Sequence, residues 1–131
     1  MLAHIIALRD YERADYVSAR MLGQQVLEAD RGLLGEEHPD TLTAMNNLAQ
    51  TIKAQGHLQE ARQIEEHVLN ARERLFGDDH VDTLTAKHNL AETLAGQGQL
   101  VKARRMQEHV VKQLTNLVGA KHRQTLNARK T

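Results

Sequence analysis

The string Asp-Thr-Leu-Thr-Ala occupies residues 40–44 and occurs again, 42 positions later, at residues 82–86. The likeness extends in both directions, because residues 35–76 align with residues 77–118 without a gap and are identical at 20 of 42 positions. Self-similarity at a fixed period of this size is the signature of a repeat protein. The same step links further residues upstream and downstream of the two copies, namely Ala19, Val26, Gly119, His122, Thr125 and Leu126.

The period divides residues 1–131 into the parts of a single array. We expect an incomplete first repeat at 1–34, complete repeats at 35–76 and 77–118, and the start of a further repeat at 119–131. Stacked repeats bury their apolar faces on one another and need about three units for stability. We therefore expect that the chain is a fragment of a longer array or that two copies cover each other's ends.

Each complete unit is predicted to form two helices. The first helix carries apolar residues at helical spacing, which are Leu42, Met45, Leu48, Ala49 and Ile52. The second helix carries Leu58, Ala61, Ile64, Val68 and Leu75 in the same way. Pro39 takes the favoured first position of a helix, and glycines are expected to mark the helix ends at Gly35, Gly56, Gly77, Gly98 and Gly119. The predicted fold class is therefore all-α, an α-solenoid of antiparallel helix pairs.

Composition argues against several classes of protein. The 17 lysine and arginine residues balance 17 aspartate and glutamate residues, whereas a nucleic-acid binder normally has a basic surplus. Cysteine is absent, so the chain has neither a disulfide framework nor a thiol nucleophile. The apolar stretch at residues 2–8 is too short to span a membrane and lacks the features of a signal peptide. We therefore expect a cytoplasmic protein that binds neither nucleic acid nor membrane.

The eight histidines are the residues that most suggest an enzyme or a metal site. No two of them lie three or four positions apart, and no His-Glu-x-x-His string occurs. His38, His80 and His122 recur with the repeat, so capping or packing is the favoured interpretation. Neither a glycine-rich phosphate loop nor a Gly-x-Ser-x-Gly string is present. The sequence predicts a protein that is not an enzyme and has no catalytic residues, metal or cofactor.

Several of these residues together resemble the tetratricopeptide repeat (TPR). The resemblance lies in Asn47-Leu48-Ala49, in residues 56–61 (Gly-His-Leu-Gln-Glu-Ala) and in Phe76-Gly77. The period of 42, with residues 34–41 joining the units, is similar to the kinesin-light-chain type of this repeat. The resemblance implies a right-handed superhelix and a protein-binding scaffold whose first helices line a concave groove. Ala14 departs from the pattern, since it replaces the turn glycine of the incomplete first unit.

A polar face beside the apolar stripe of each first helix is the predicted peptide-binding surface. In the first complete unit it consists of Thr43, Asn46, Asn47, Gln50 and Lys53, and in the second of Thr85, His88, Asn89 and Glu92. An asparagine amide both donates and accepts hydrogen bonds, so it can hold an extended peptide backbone. The resemblance implies this role for Asn47 and Asn89 only. The alternative is that these asparagines bond a neighbouring helix or face water.

A second functional hypothesis is self-association, or a sensor arm within a larger multidomain regulatory protein. Stacking requires a covering unit at each end of an array. The apolar residues expected near an uncovered end are Leu114, Leu117, Val118 and Leu126. We therefore expect a homodimer formed through exposed repeat ends as the alternative to peptide binding.

Overall fold

The computed structural model describes the backbone of residues 2–130 and the side chains of residues 15–121. That part of the chain is helical and contains no strand, which confirms the predicted all-α class. The helices are α1 (Leu2–Leu34), α2 (Pro39–Ala54), α3 (Leu58–Phe76), α4 (Val81–Gly96) and α5 (Leu100–Lys130). They form two compact units, unit 1 with residues 1–71 and unit 2 with residues 72–131.

The repeating histidines His38 and His80 cap the first helix of each complete repeat. His38 precedes α2, and its Nδ1 accepts a hydrogen bond from the Asp40 N–H at 3.1 Å. His80 precedes α4 and accepts from the Asp82 N–H at 3.0 Å in the same way. Each bond satisfies one of the backbone donors that the first turn of a helix leaves without a partner. The capping role predicted for these two histidines is confirmed, whereas the side chain of His122 lies outside the described residues.

Left-handed glycines end the helices that precede the caps. Gly35 follows α1 with φ of 93°, and Gly77 follows α3 with φ of 85°. A residue with a Cβ is strained in this region of backbone space, and glycine is not. The Thr41 hydroxyl donates to the Gly35 carbonyl at 2.7 Å, which fixes the turn to the helix that follows it.

Gly119 does not end a helix, so the prediction made for it is wrong. Helix α5 continues through this residue to Lys130, and α1 is likewise continuous from Leu2 to Leu34. Glycine permits a left-handed turn but does not impose one. Gly35 and Gly77, where the chain turns, are followed by Glu-Glu and Asp-Asp. Gly119 is followed by Ala120 and Lys121, which favour helix.

In unit 1, α1 packs on α2, and the predicted stripe of α2 forms the core. All five of its apolar residues are buried: Leu42, Met45, Leu48, Ala49 and Ile52. Gly23 of α1 lies so close to Leu48 that an added Cβ would be 3.2 Å from its Cδ1. Ala61 and Val68 of α3 are buried as predicted, and Leu58 and Ile64 are half-buried. The backbones of α1 and α2 approach closely because α1 contributes Gly23 at the contact with Leu48.

In unit 2, α4 packs on α5 around a core of small and branched residues. Arg72 is also buried there, and its Nη1 donates to the Asp82 carbonyl at 3.1 Å. Burial lowers the pKa of Arg72 because it disfavours the charged form, and the negative charge of Asp82 partly opposes that shift. Leu75 was predicted to point inward but is exposed. The buried positions of α3 end one turn earlier, at Arg72.

Candidate functional site

Two adjoining clefts between α1 and α2 contain part of the predicted peptide-binding face of unit 1. Their volumes are about 250 Å³ and 320 Å³, and both are lined by Val26, Ala44 and Asn47. Leu22 adds an apolar wall to the first cleft, and Thr43 lines the second. Thr43 and Asn47 are exposed, so their polar groups are accessible beside an apolar surface.

The predicted peptide-binding face of unit 1 contained no acidic residue. Asp30 of α1 and Asp40 of α2 line the second cleft beside Val26. The cations of the neighbouring turns already face acids, since Arg31 Nε lies 2.8 Å from Glu36 Oε2 and Arg20 forms an ion pair with Glu60. The cleft therefore presents negative charge next to its apolar wall. Lys53, the cation of the predicted face in unit 1, does not reverse this charge, because it lies beside the carboxylate of Glu65.

Lys53 is directed to a second helix. Its Nζ lies 3.3 Å from Glu65 Oε2 of α3, and Glu65 is only 1% exposed. Lys53, Asn46 and Gln50 are half-buried rather than fully accessible. Sequence reasoning missed this ion pair, although a signal existed. One repeat later both charges disappear together, because the equivalent residues are Ala95 and Gln107.

His88 connects two polar side chains in unit 2. Its Nδ1 lies 3.0 Å from Gln107 Oε1 of α5, and its Nε2 lies 2.7 Å from Glu92 Oε1 of α4. Thr85 and His88 line a cleft of about 280 Å³ with Leu84, Val110 and Leu114. The predicted residues Thr85, His88 and Glu92 are exposed.

The two threonines of the predicted face are oriented by their own helices. The Thr43 hydroxyl donates to the Pro39 carbonyl at 3.1 Å, and the Thr85 hydroxyl donates to the Val81 carbonyl at 3.0 Å. Each hydroxyl proton is thereby committed to the helix. Since a hydroxyl oxygen retains acceptor lone pairs, both threonines can accept a hydrogen bond from a ligand N–H.

The two asparagines that were treated as equivalent differ in accessibility. Asn47 is exposed, whereas Asn89 is buried with 9% of its surface exposed. The backbone carbonyl of Asn89 accepts a hydrogen bond from the Thr93 hydroxyl at 3.2 Å. Asn47 can therefore meet a ligand in the present arrangement, and a role for Asn89 stays a prediction.

A larger cleft of about 510 Å³ in unit 1 is lined by none of the residues of the predicted face. Its floor is apolar, with Leu27, Met45, Leu48 and Ile64. Glu36 lies at its rim, 2.8 Å from Arg31 and 3.8 Å from His67 Nε2. The charged side chains at this rim, Arg31, Glu36 and His67, therefore lie close to one another.

Comparisons with known proteins agree with the repeat pattern. Residues 41–82 match a family model described as tetratricopeptide repeat, and residues 66–116 match a second model of the same description. The crystal structure of a Podosopora anserina protein with nearly identical TPR-like repeats, of kinesin light chain type, is similar with a TM-score of 0.73 and 28% identity. A variant of that protein gives the same values. The chain is a tetratricopeptide repeat protein of the kinesin-light-chain type.

The matched structures are longer than this chain. The structural match covers 86% of this TPR chain and 53% of the other, so the chain spans about half the length of the solved structures it matches. No match was found among curated proteins. The fold is an all-α helical-repeat solenoid, as predicted. The handedness of a superhelix and the division into 1–34, 35–76, 77–118 and 119–131 stay predictions.

Family membership also gives the general function. TPR repeats are protein-interaction modules, and the TPR fold is a non-catalytic scaffold that binds proteins or peptides. Among the described residues of this TPR protein, no group of three histidine or acidic side chains is arranged to hold a metal ion. No helix in that part of the chain has the length and apolar character needed to cross a membrane.

Proposed function

We propose that this chain is a non-catalytic interaction scaffold that binds a peptide segment or partner protein on the first helices of its repeats. In unit 1 the binding surface is the α1–α2 cleft with Thr43 and Asn47, and in unit 2 it is the α4–α5 cleft with Thr85 and His88. Asn46, Gln50, Lys53, Asn89 and Glu92 support these surfaces. The absence of enzymatic activity and the cytoplasmic location belong to the same proposal.

The observation that carries this proposal is the placement of Asn47. Its exposed amide lines both clefts, between the apolar wall of Leu22 and Val26 and the hydroxyl of Thr43. An apolar surface with a few convergent polar groups is the usual chemistry of a binding site. The apolar wall would bury a ligand side chain, and the asparagine would pair with the ligand backbone.

The charge of the cleft favours one class of ligand. Asp30 and Asp40 line it, and Lys53 lies beside the carboxylate of Glu65. A segment with apolar and basic side chains therefore fits unit 1 better than an acidic segment, because complementary charge raises both the association rate and the specificity.

The test is a comparison of two labelled peptide series that carry the same apolar residues with lysine or with glutamate. Binding is followed by fluorescence anisotropy and by the NMR signal of the Asn47 side-chain amide. We expect the lysine series to bind and to shift that signal, and Asn47→Ala to weaken binding by about tenfold. Asn70→Ala is the matched control, since Asn70 is exposed on α3 and lines neither cleft. Equal loss in both variants contradicts the proposal.

Self-association, alone or as the sensor arm of a larger protein, is the second candidate function. The supporting observation concerns one position of the repeat. Val26 on α1 is 46% exposed, whereas Val110, its equivalent on α5, is 4% exposed. Val110 packs beside Leu84 and Thr85 of its own first helix. The repeat therefore retains an apolar residue at Val26, although the described part of the chain leaves nearly half of that residue exposed. Sedimentation velocity over a hundredfold range of concentration is the test, and a monomer throughout contradicts this candidate.

A further inference from the structure

The zero net charge of the chain conceals a separation of charge along it. Helix α5, Leu100–Lys130, contains eight of the 17 lysine and arginine residues and a single acid, Glu108. The other residues carry nine cations and 16 acids. Arg105 and Lys112 are exposed, and no acid in the described part of the chain pairs with either of them. One helix is therefore strongly basic, and the remainder of the chain is acidic.

The same helix presents an apolar stripe that no side chain in the described part of the chain covers. Val111, Leu114 and Val118 are exposed and lie at spacings of three and four, on one face of α5. Val111 is 62% exposed, whereas Leu27, its equivalent two repeats earlier, is 6% exposed and lines a cleft with Ile64 and His67 of α3. The same position of the repeat is therefore buried in unit 1 and exposed in unit 2.

Unit 1 presents a surface of matching chemistry. The α1–α2 cleft exposes Leu22 and Val26, and Asp30 and Asp40 lie at its edge. Among the described residues, the carboxylate of Asp30 takes part in no hydrogen bond or ion pair. An acidic apolar cleft on one part of the molecule and a basic apolar helix face on another are complementary when two copies meet.

We propose that the outer face of α5 in one copy, Val111, Leu114 and Val118 with Lys112, docks in the α1–α2 cleft of a second copy. The contact buries apolar surface on both sides, which drives the association. The opposite charges of α5 and of the cleft steer the two copies and select head-to-tail contact over contact between like faces. A nucleic acid would match the charge of α5 but not its exposed valines and leucine. This inference rests on self-association, the second proposed function.

The arrangement has a defined symmetry. Because the two faces differ, the interface is heterologous, and each copy retains a free cleft and a free α5 face after one contact has formed. Association then continues into chains of copies unless the geometry closes a ring. A dimer built on identical faces would stop at two copies.

The test uses two variants that each block one face. Val26→Glu places a charge in the cleft, and Val111→Glu places one on the α5 stripe. Val81→Glu is the matched control, because Val81 is also exposed and apolar but lies at the start of α4, on neither face. Circular dichroism establishes that all three variants fold, and sedimentation velocity and light scattering report their association.

We expect the wild-type chain and Val81→Glu to form species larger than dimers as concentration rises, and each blocked variant alone to remain a monomer. Mixing the two blocked variants restores one intact pair of faces and yields a 1:1 complex. Raising salt from roughly 50 to 500 mM weakens that complex by about tenfold, since screening shortens the range of the charge attraction. Wild-type dimers that form without larger species, or a blocked variant that still dimerises, overturn the head-to-tail inference and leave self-association standing. A wild-type monomer at every concentration overturns both.

Discussion

The ammonium of Lys53 on α2 lies 3.3 Å from the carboxylate of Glu65 on α3, where the carboxylate is almost completely buried. The equivalent residues in the next repeat, Ala95 and Gln107, are neutral. One repeat thus contains an internal ion pair at a position where its neighbour has none. The pair joins the two helices of its repeat and is a natural test of how a buried charge is tolerated.

Removal of the cation alone should destabilise the protein strongly. Lys53→Met leaves the Glu65 carboxylate buried without its ionic partner, and we expect a loss of about 3 kcal/mol in the free energy of unfolding. The double variant Lys53→Ala/Glu65→Gln copies the neutral pair of the next repeat, and it should remain within about 1 kcal/mol of wild type. Urea denaturation measures the loss in each variant. Equal losses in both would contradict a penalty for leaving the buried carboxylate without Lys53.

Removal of the histidine caps should have a smaller and more specific effect. His38→Ala deletes the acceptor for the Asp40 N–H, and we expect a loss of about 1 kcal/mol. His38→Asn supplies another good capping oxygen and should retain most of the stability. His80→Ala should cost more than His38→Ala, because the His80 ring also stacks on Phe76 with centroids 4.6 Å apart. Thermal and urea unfolding of the three variants test this order.

Substitution of equivalent glycines by alanine should have opposite effects. Gly77→Ala forces a Cβ into a backbone with φ of 85°, which costs about 1–2 kcal/mol. Gly119→Ala should instead stabilise α5 by about 0.5–1 kcal/mol, because Gly119 lies inside the helix and an added Cβ meets nothing within 4 Å. Helicity and urea midpoints of both variants are the measurements. A loss of stability in Gly119→Ala would contradict a continuous α5.

Substitution of the two asparagines of the predicted surface should affect different properties, which are peptide binding for Asn47 and stability for Asn89. Asn47→Ala should weaken binding of apolar, basic peptides and change the free energy of unfolding by less than about 0.5 kcal/mol, because Asn47 is exposed. Asn89→Ala should cost about 1–3 kcal/mol, because a buried polar side chain is removed from its hydrogen-bonded surroundings. Anisotropy titrations and urea melts of the same samples measure both quantities. If instead Asn89→Ala weakened peptide binding and Asn47→Ala destabilised the protein, the ligand would lie on α4.

The features that could be predicted from sequence are those fixed by local chemistry. The stripe from Leu42 to Ile52 follows from helical spacing, and the caps at His38 and His80 follow from their position before a helix. The Lys53–Glu65 pair connects two helices, and neither helix contains both charges, so periodicity within a helix gives no sign of it. The burial of Asn89 depends on packing from outside its own helix, which a residue pattern within α4 does not encode.

Gly119 shows a different limit of prediction. Its place in the period matched Gly35 and Gly77, yet the backbone remains helical because the residues that follow determine whether a permissive position turns. The separation of charge shows a third limit. A total charge is a sum over the whole chain, and the eight cations of α5 become visible only when the count is restricted to one helix.

Leu22, Val26 and Asn47 line one cleft, and that cleft has two proposed occupants. A peptide held by Asn47 and the α5 helix of another copy would compete for the same space, so binding of either would lower the apparent affinity for the other. Peptide would then act as a chain terminator that shortens assemblies, and a rising protein concentration would displace peptide. The length of the assembly would report the concentration of free peptide.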